Sequence, residues 1–234
     1  MRVARWGGAC VALTLPIALC GSAHAQSEGV RWWQPVLVIG AIATVSLADG
    51  AVNDWAQDRR TPQSDDLARI FRYGGEPEVT FGIGGGILVA GTIAGKPELQ
   101  RSGGRVLLSI IAAGLTTGAL KVGTGRYRPA ETDNPYTFKP FSGHDSFPSG
   151  HATMAFALAT SLSNEIKNGW VSAALYTFAT GTAWSRLNDE RHWLSDVLAG
   201  ATVGITTATI VDRHPPRLLA EPNGAVRLEW RIAF

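Results

Sequence analysis

The sequence predicts an all-α fold, a single-domain helical bundle of about six core helices, and two observations lead to that reading. Six uncharged stretches rich in small residues, at 32–48, 79–95, 106–120, 152–164, 168–185 and 197–211, each have the length of a helix. The 234 residues suit one domain with a sizeable core, and 45% hydrophobic content with 17% charge excludes a disordered chain.

Residues 1–25 carry the marks of a secretory signal. Arg2 and Arg5 come first, then an apolar run from Ala9 to Leu19, then small residues ending Ala23-His24-Ala25, with cleavage expected after Ala25. That run is short for a membrane span of about 20 residues. Both cysteines, Cys10 and Cys20, fall inside it, so the mature chain would hold no disulfide and must be stabilised by packing. Losing Arg2 and Arg5 leaves 19 basic residues against 19 acidic ones. A formally neutral mature chain lacks the electrostatic footprint of a nucleic-acid binder.

The first two helical stretches are joined by a polar connector, Asp49 to Pro77. In it Ser64-Asp65-Asp66 would cap a short helix over Leu67 to Tyr73, and Gly74-Gly75 would stop it. The Gly-rich segment Gly82 to Gly86 lacks the Lys-Ser/Thr of a phosphate-binding P-loop and reads as close helix packing. A Pro-containing loop, Ala130 to Phe147, separates the third and fourth helices. At the end, Arg227 to Phe234 places apolar Leu228, Trp230, Ile232 and Phe234 at alternate positions, the pattern of a short edge strand or a docked tail. A 17-residue helix rises about 26 Å against roughly 30 Å of hydrocarbon. With a mean hydropathy of +0.06, both a periplasmic domain lying against a membrane and an integral membrane protein stay open.

Chemistry concentrates in three clusters: Lys121 to Pro129 (KVGTGRYRP), Phe147 to His151 (FPSGH) and Ser185 to Asp196 (SRLNDERHWLSD). Lys121, Arg128 and Arg186 supply three cations, two of them rigid bidentate forks, which suits a phosphoryl group. Lys121 and Arg128 can converge only if the helix ends between them, as Gly123 and Gly125 allow. Arg126 is an extra cation of less specific role. Ser149 and Gly150 precede an Ala-rich run, where a helix N-terminus offers free N–H groups to an anion, and His151 would stand beside it as a general acid. His192 and Asp196 are four apart. On a helix the carboxylate would accept a proton from one ring nitrogen and free the other for attack on phosphorus. His144, Asp145, Asp189, Glu190 and Arg191 read as solvated residues, and His214 as a helix end.

In order and spacing, these clusters resemble the type 2 phosphatidic acid phosphatase (PAP2) superfamily, which includes bacterial non-specific acid phosphatases and vanadium haloperoxidases. Its pattern, K-x6-R-P, P-S-G-H and S-R-x5-H-x3-D, is filled at every position, and the resemblance spans roughly 107–211. It implies a phosphatase domain over 26–234 in which Ser149 and Gly150 bind phosphate, His151 is the general acid and His192 forms a phosphohistidine that water hydrolyses. Membrane-bound members place the first motif after the third span, the second at the start of the fourth and the third between the fifth and sixth, as here. No closely grouped Cys, His or carboxylate set has a catalytic-metal spacing, so activity is expected without metal or cofactor. The expected substrate is a phosphorylated lipid, phosphatidate, isoprenoid or lipid A in type, or a small phosphate ester. The expected partner is a membrane surface, and the expected location is the periplasm or cell envelope. Broad-specificity acid phosphatase, haloperoxidase and catalytically idle envelope scaffold are the competing readings.

Overall fold

The computed structural model describes residues 33–215 in full, together with the backbone of two strands at 217–220 and 226–229. The signal-peptide reading, both cysteines and the last five residues of the aromatic tail lie outside the described residues. Eight α-helices make up this part of the chain: α1 Trp33–Ser46, α2 Asp49–Asp58, α3 Pro62–Arg72, α4 Pro77–Ile93, α5 Pro97–Thr124, α6 Gly150–Ile166, α7 Gly169–Asn188 and α8 Leu194–Arg213. Strands β1 (Arg217–Ala220) and β2 (Val226–Glu229) pair antiparallel, with Arg217 opposite Glu229. The tail strand therefore closes a hairpin with a partner that the sequence reading missed.

The six anticipated helices all form, and the polar connector contributes two more. In α3, Thr61 rather than Ser64 is the cap: its hydroxyl accepts from the Ser64 N–H at 3.1 Å and Ser64 Oγ accepts from the Thr61 N–H at 3.0 Å. This reciprocal box starts the helix five residues earlier than predicted. Helix α2 sets Ala51 and Val52 against Trp55 and Ala56 at helical spacing, and Asp49, at its first position, is fully buried and accepts from the Ser195 N–H of α8. Of Gly82–Gly86, only Gly84 packs closely, against Val106 and Leu107 of α5.

Helix α6 is central, packed along α8 and α7 and touching α5, while α4 lies along α5 and α3 along α7. The interior is built from small and polar side chains, among them Ala113, Ala152, Thr153 and Thr182, with one apolar cluster at Val106, Ile110 and Leu158 and another where Phe156, Leu175 and Tyr176 pack on Ala155, Ala159 and Ala179. Large apolar side chains face outward instead: Leu115 is 71% exposed, Ile93 82% and Trp170 88%. Water would oppose such an exterior, whereas lipid tails accept it, and small-residue interfaces are the way helices associate in lipid. Among the described residues two helices, α5 and α8, are long and apolar enough to cross a membrane, and the pair α1–α2, bent by 51°, makes a third if it is one broken span.

Candidate active site

Every predicted site residue lies at the same end of the bundle. Lys121 occupies the last turn of α5, Ser149 and Gly150 start α6, His151 stands in its first turn, Arg186 ends α7, and His192 and Asp196 flank the start of α8. Helix α5 stops at Thr124 because Gly125 adopts a left-handed conformation (φ 54°), where a side chain would also run into the Lys139 carbonyl. The chain then turns back and delivers Arg128 beside Lys121, as the glycines had suggested. Ser149 caps α6, and its own N–H donates to the Asp196 carbonyl at 2.9 Å, fastening the second motif to the third.

The cleft between these elements has a volume of about 540 Å³, and Arg128, Arg186, His151, His192, Arg72 and Glu76 contribute to its walls. Arg128 Nε, Arg186 Nε and Nη1, Arg72 Nε and His151 Nε2 are buried with no hydrogen-bond acceptor in the protein. Carboxylates stand beside three of these groups as ion pairs without hydrogen-bond geometry: Glu76 Oε2 is 3.5 Å from His151 Nε2 and Glu76 Oε1 is 3.4 Å from Arg72 Nε, while Asp189 Oδ2 is 3.5 Å from Arg186 Nη1. Buried donors without acceptors are costly, so such a cluster is organised for an oxygen-rich ligand. Asp145 provides a local anion. Its Oδ1 accepts from Arg128 Nη2 at 2.7 Å, its Oδ2 lies 3.6 Å from Lys121 Nζ, and its backbone carbonyl also accepts from Lys121. Burial raises the Asp145 carboxyl, but Lys121 and Arg128 outweigh it and hold the group below the usual carboxylate range.

His192 departs from the sequence reading in one respect. It sits in the turn before α8, not on the helix, so the four-residue spacing to Asp196 is not a helical i,i+4 pair. Its Nδ1 donates to the Ser146 carbonyl at 2.7 Å, and Asp196 Oδ2 is 3.7 Å away, close enough to act as a charge but beyond a hydrogen bond. A carbonyl can only accept, so Nδ1 carries the proton and Nε2 is left with its lone pair. Burial pushes the imidazole down to about 4, against the opposing pull of Asp196, so the ring is neutral near pH 7.

Behind His192 lies a network that the sequence reading missed. Arg126 is buried, and its Nη1 donates to Asp196 Oδ1 at 2.6 Å and to Ser195 Oγ at 2.7 Å. Its Nη2 reaches Asp49 Oδ2 and the Pro135 carbonyl, each at 2.7 Å. Asp49 also accepts from the Ser195 N–H at 2.8 Å. Ser146 Oγ and the Trp193 N–H take Asp196 Oδ2 at 2.6 and 2.9 Å. Arg126, given no specific role from sequence, is thus the hub that fixes Asp196 beneath His192. An invariably charged Arg between Lys121 and Arg128, five positions after the first and two before the second, was the available signal; its partner Asp49, 77 residues away, had none.

The solvated readings hold only in part. His144 stacks on Tyr127 at 3.5 Å, outside the cleft. Asp145 instead pairs with the two site cations, and Asp189 and Arg191 line the cleft although they were placed in solvent. His214 ends α8 as expected. Among the described residues, no three His, Cys, Asp or Glu side chains group as a metal site.

The sequence profile described as PAP2 superfamily matches residues 102–218. A lipid A 1-phosphatase from Porphyromonas gingivalis is 40% identical over 131 residues, covering 53% of this chain and 27% of that protein. One from Rhizobium johnstonii is 32% identical over 143 residues, covering 56% of this chain and 54% of the relative. The chain thus spans from about a quarter to just over half the length of these relatives. Among solved structures, Aquifex aeolicus LpxE superimposes with a TM-score of 0.56 at 26% identity, covering 70% of this chain and 94% of that one. A transmembrane PAP2-type phosphatidylglycerolphosphate phosphatase from Bacillus subtilis gives a TM-score of 0.62 at 20% identity, over 77% and 95%, a likeness of fold.

Proposed function

This chain belongs to the PAP2 superfamily, and from that premise we propose that it is an exported, membrane-associated phosphatase that releases phosphate from phosphorylated lipids without a metal, through a phosphohistidine on His192. One observation carries the reading. Buried, unpartnered donors of Arg128, Arg186 and His151 line the same cleft as a neutral histidine whose Nδ1 is already committed.

In the proposed reaction the substrate phosphate displaces the Asp145 carboxylate from Lys121 and Arg128 and takes the forks of Arg128 and Arg186. The N-terminus of α6 adds backbone donors. His192 Nε2 attacks phosphorus, the bond from phosphorus to the ester oxygen breaks, and His151 gives that oxygen a proton. Glu76, 3.5 Å from His151 Nε2, stabilises the protonated ring before transfer. Asp196 balances the positive charge that His192 gains, as a carboxylate 3.7 Å away rather than as a proton acceptor. Water, deprotonated by His151, then cleaves the phosphorus–nitrogen bond and returns His192 neutral. The guanidiniums and Lys121 supply the charge neutralisation that a metal supplies elsewhere. The outward apolar side chains and the lipid-phosphate activities named for the relatives support a lipid substrate.

The test is phosphate release in EDTA from a lipid monophosphate in detergent and from a soluble aryl phosphate, with His192→Ala as control. Lipid-selective release that falls on the order of 10⁴-fold or more in His192→Ala is expected. Equal rates on both substrates would move the protein to the broad-specificity acid phosphatases. No release from either, or release that survives the substitution, overturns the proposal.

A further inference from the structure

The cleft is larger and more cationic than one phosphate requires. A water takes about 30 Å³, so a cleft of about 540 Å³ has room for much more than a phosphoryl group of five heavy atoms. Six arginines line it, Arg60, Arg69, Arg72, Arg128, Arg186 and Arg191, against three carboxylates, Asp65, Glu76 and Asp189. Arg128 and Arg186 belong to the phosphate pocket described above. The other four touch no reacting atom in the proposed reaction; they come from the connector bearing α2 and α3, which also supplies Glu76, and from the turn after α7, which also carries His192.

These four are unequally satisfied. Arg60 is engaged by Asp65 at 2.7 Å and approaches Glu190 at 3.9 Å. Arg69 holds an exposed pair with Asp66 at 3.2 Å. Arg72 keeps its Nε buried and unaccepted, with Glu76 at 3.4 Å. Arg191 is exposed, and its backbone N–H donates to the Arg186 carbonyl at 3.0 Å; among the described residues its guanidinium forms no ion pair. That backbone bond fixes Arg191 next to the phosphate pocket. Like charges crowded into one concave site repel, and ligand anions relieve the repulsion.

We propose that Arg191 and Arg72 form a second anion subsite, so that the preferred substrate carries a further phosphoryl or carboxylate group on the headgroup that bears the scissile phosphate. This rests on the phosphatase reading and deepens it by naming a substrate class. Arg191 acts as a specificity residue: it holds the far anion and touches no reacting atom.

The experiment compares wild type, Arg191→Ala and Arg191→Lys on three lipids in the same detergent. The first has one phosphate monoester, the second a diphosphate, and the third two phosphates on separate sugar carbons. Arg191→Ala is expected to lower kcat/KM on one or both two-anion lipids by about 10- to 100-fold, the effect of losing a charge-assisted hydrogen bond. On the monophosphate it should change less than threefold, and Arg191→Lys should restore much of the loss. A loss on the diphosphate alone locates the second anion next to the first; a loss on the third lipid alone locates it across the headgroup. Equal changes on all three lipids, or none, overturn the subsite. If no lipid releases phosphate, the enzymatic reading fails separately, and calorimetry still decides the subsite. Pyrophosphate should then bind about tenfold or more tighter than phosphate to the wild-type protein, and Arg191→Ala should abolish that difference; equal affinities overturn it.

Discussion

Arg126 and Arg186 are both buried at the same end of the bundle, yet they sit in opposite electrostatic conditions. Arg126 lies in a buried network whose donors end on Asp49, Asp196, Ser195 and the Pro135 carbonyl at 2.6–3.0 Å. Arg186 faces a cleft with Nε and Nη1 unaccepted and Asp189 3.5 Å away. The difference teaches that burial of a charge does not by itself mark function. A satisfied buried cation is scaffolding, and an unsatisfied one lining a cavity is a binding group whose partner is a ligand.

That contrast can be broken by truncating both residues. Arg126→Met leaves Asp49 and Asp196 buried without their cation and should destabilise the fold by about 3–5 kcal/mol, read by denaturant unfolding in detergent. Arg186→Met removes a guanidinium whose Nε and Nη1 find no acceptor in the folded protein and whose one ion pair, with Asp189, is 3.5 Å long. Its unfolding midpoint should hold or rise, while kcat/KM for the lipid monophosphate falls by about 10²–10³-fold. If Arg186→Met unfolds as readily as Arg126→Met, the division between scaffold and binding cation is wrong.

A smaller effect sharpens the same line at His192, which touches both regions. Its folded pKa of about 4 lies below the unfolded value near 6.5. Between those pH values the unfolded chain binds a proton that the folded chain does not, so stability rises with pH across the window and is complete above it. The slope is at most about 1.4 kcal/mol per pH unit and should vanish in His192→Gln. The acid limb of kcat/KM should fall near pH 4, where the nucleophile protonates; a limb near 6.5 would mean that the imidazole is solvated.

Much of this site was legible because the motif residues lie close in sequence to the breaks that aim them: Gly125 for Lys121 and Arg128, and Ser149 for α6. Glu76 and Arg72 were not legible. They carry no motif, and they reach His151 only because the connector folds back over α6 and α7. Asp49 was read as the start of a polar loop because its partners are 77 and 146 residues distant. The His192–Asp196 spacing misled for a local reason: Trp193 is the cap of α8, so the helix begins after the histidine, and Ser146 takes the proton assigned to Asp196. The helices themselves were readable from their apolar runs, but α2 lies in a polar stretch and is anchored by Asp49 on Ser195 and Arg126 and by Gln57 on the Leu187 carbonyl, long-range contacts that periodicity cannot express.

Where α8 crosses α6, Gly200 rests directly on the Ser149 carbonyl and Gly204 on that of Thr153. A methyl group at either position would wedge the two backbones apart. Ser149 begins the turn proposed to bind phosphate and His192, the proposed nucleophile, immediately precedes α8, so this wedge would lengthen the path from nucleophile to phosphorus, and misplacement by about 1 Å is enough to cost a reaction 10²-fold. The working clearance of the catalytic pair is therefore gauged several residues away, by two hydrogens standing where almost every other residue would place carbon.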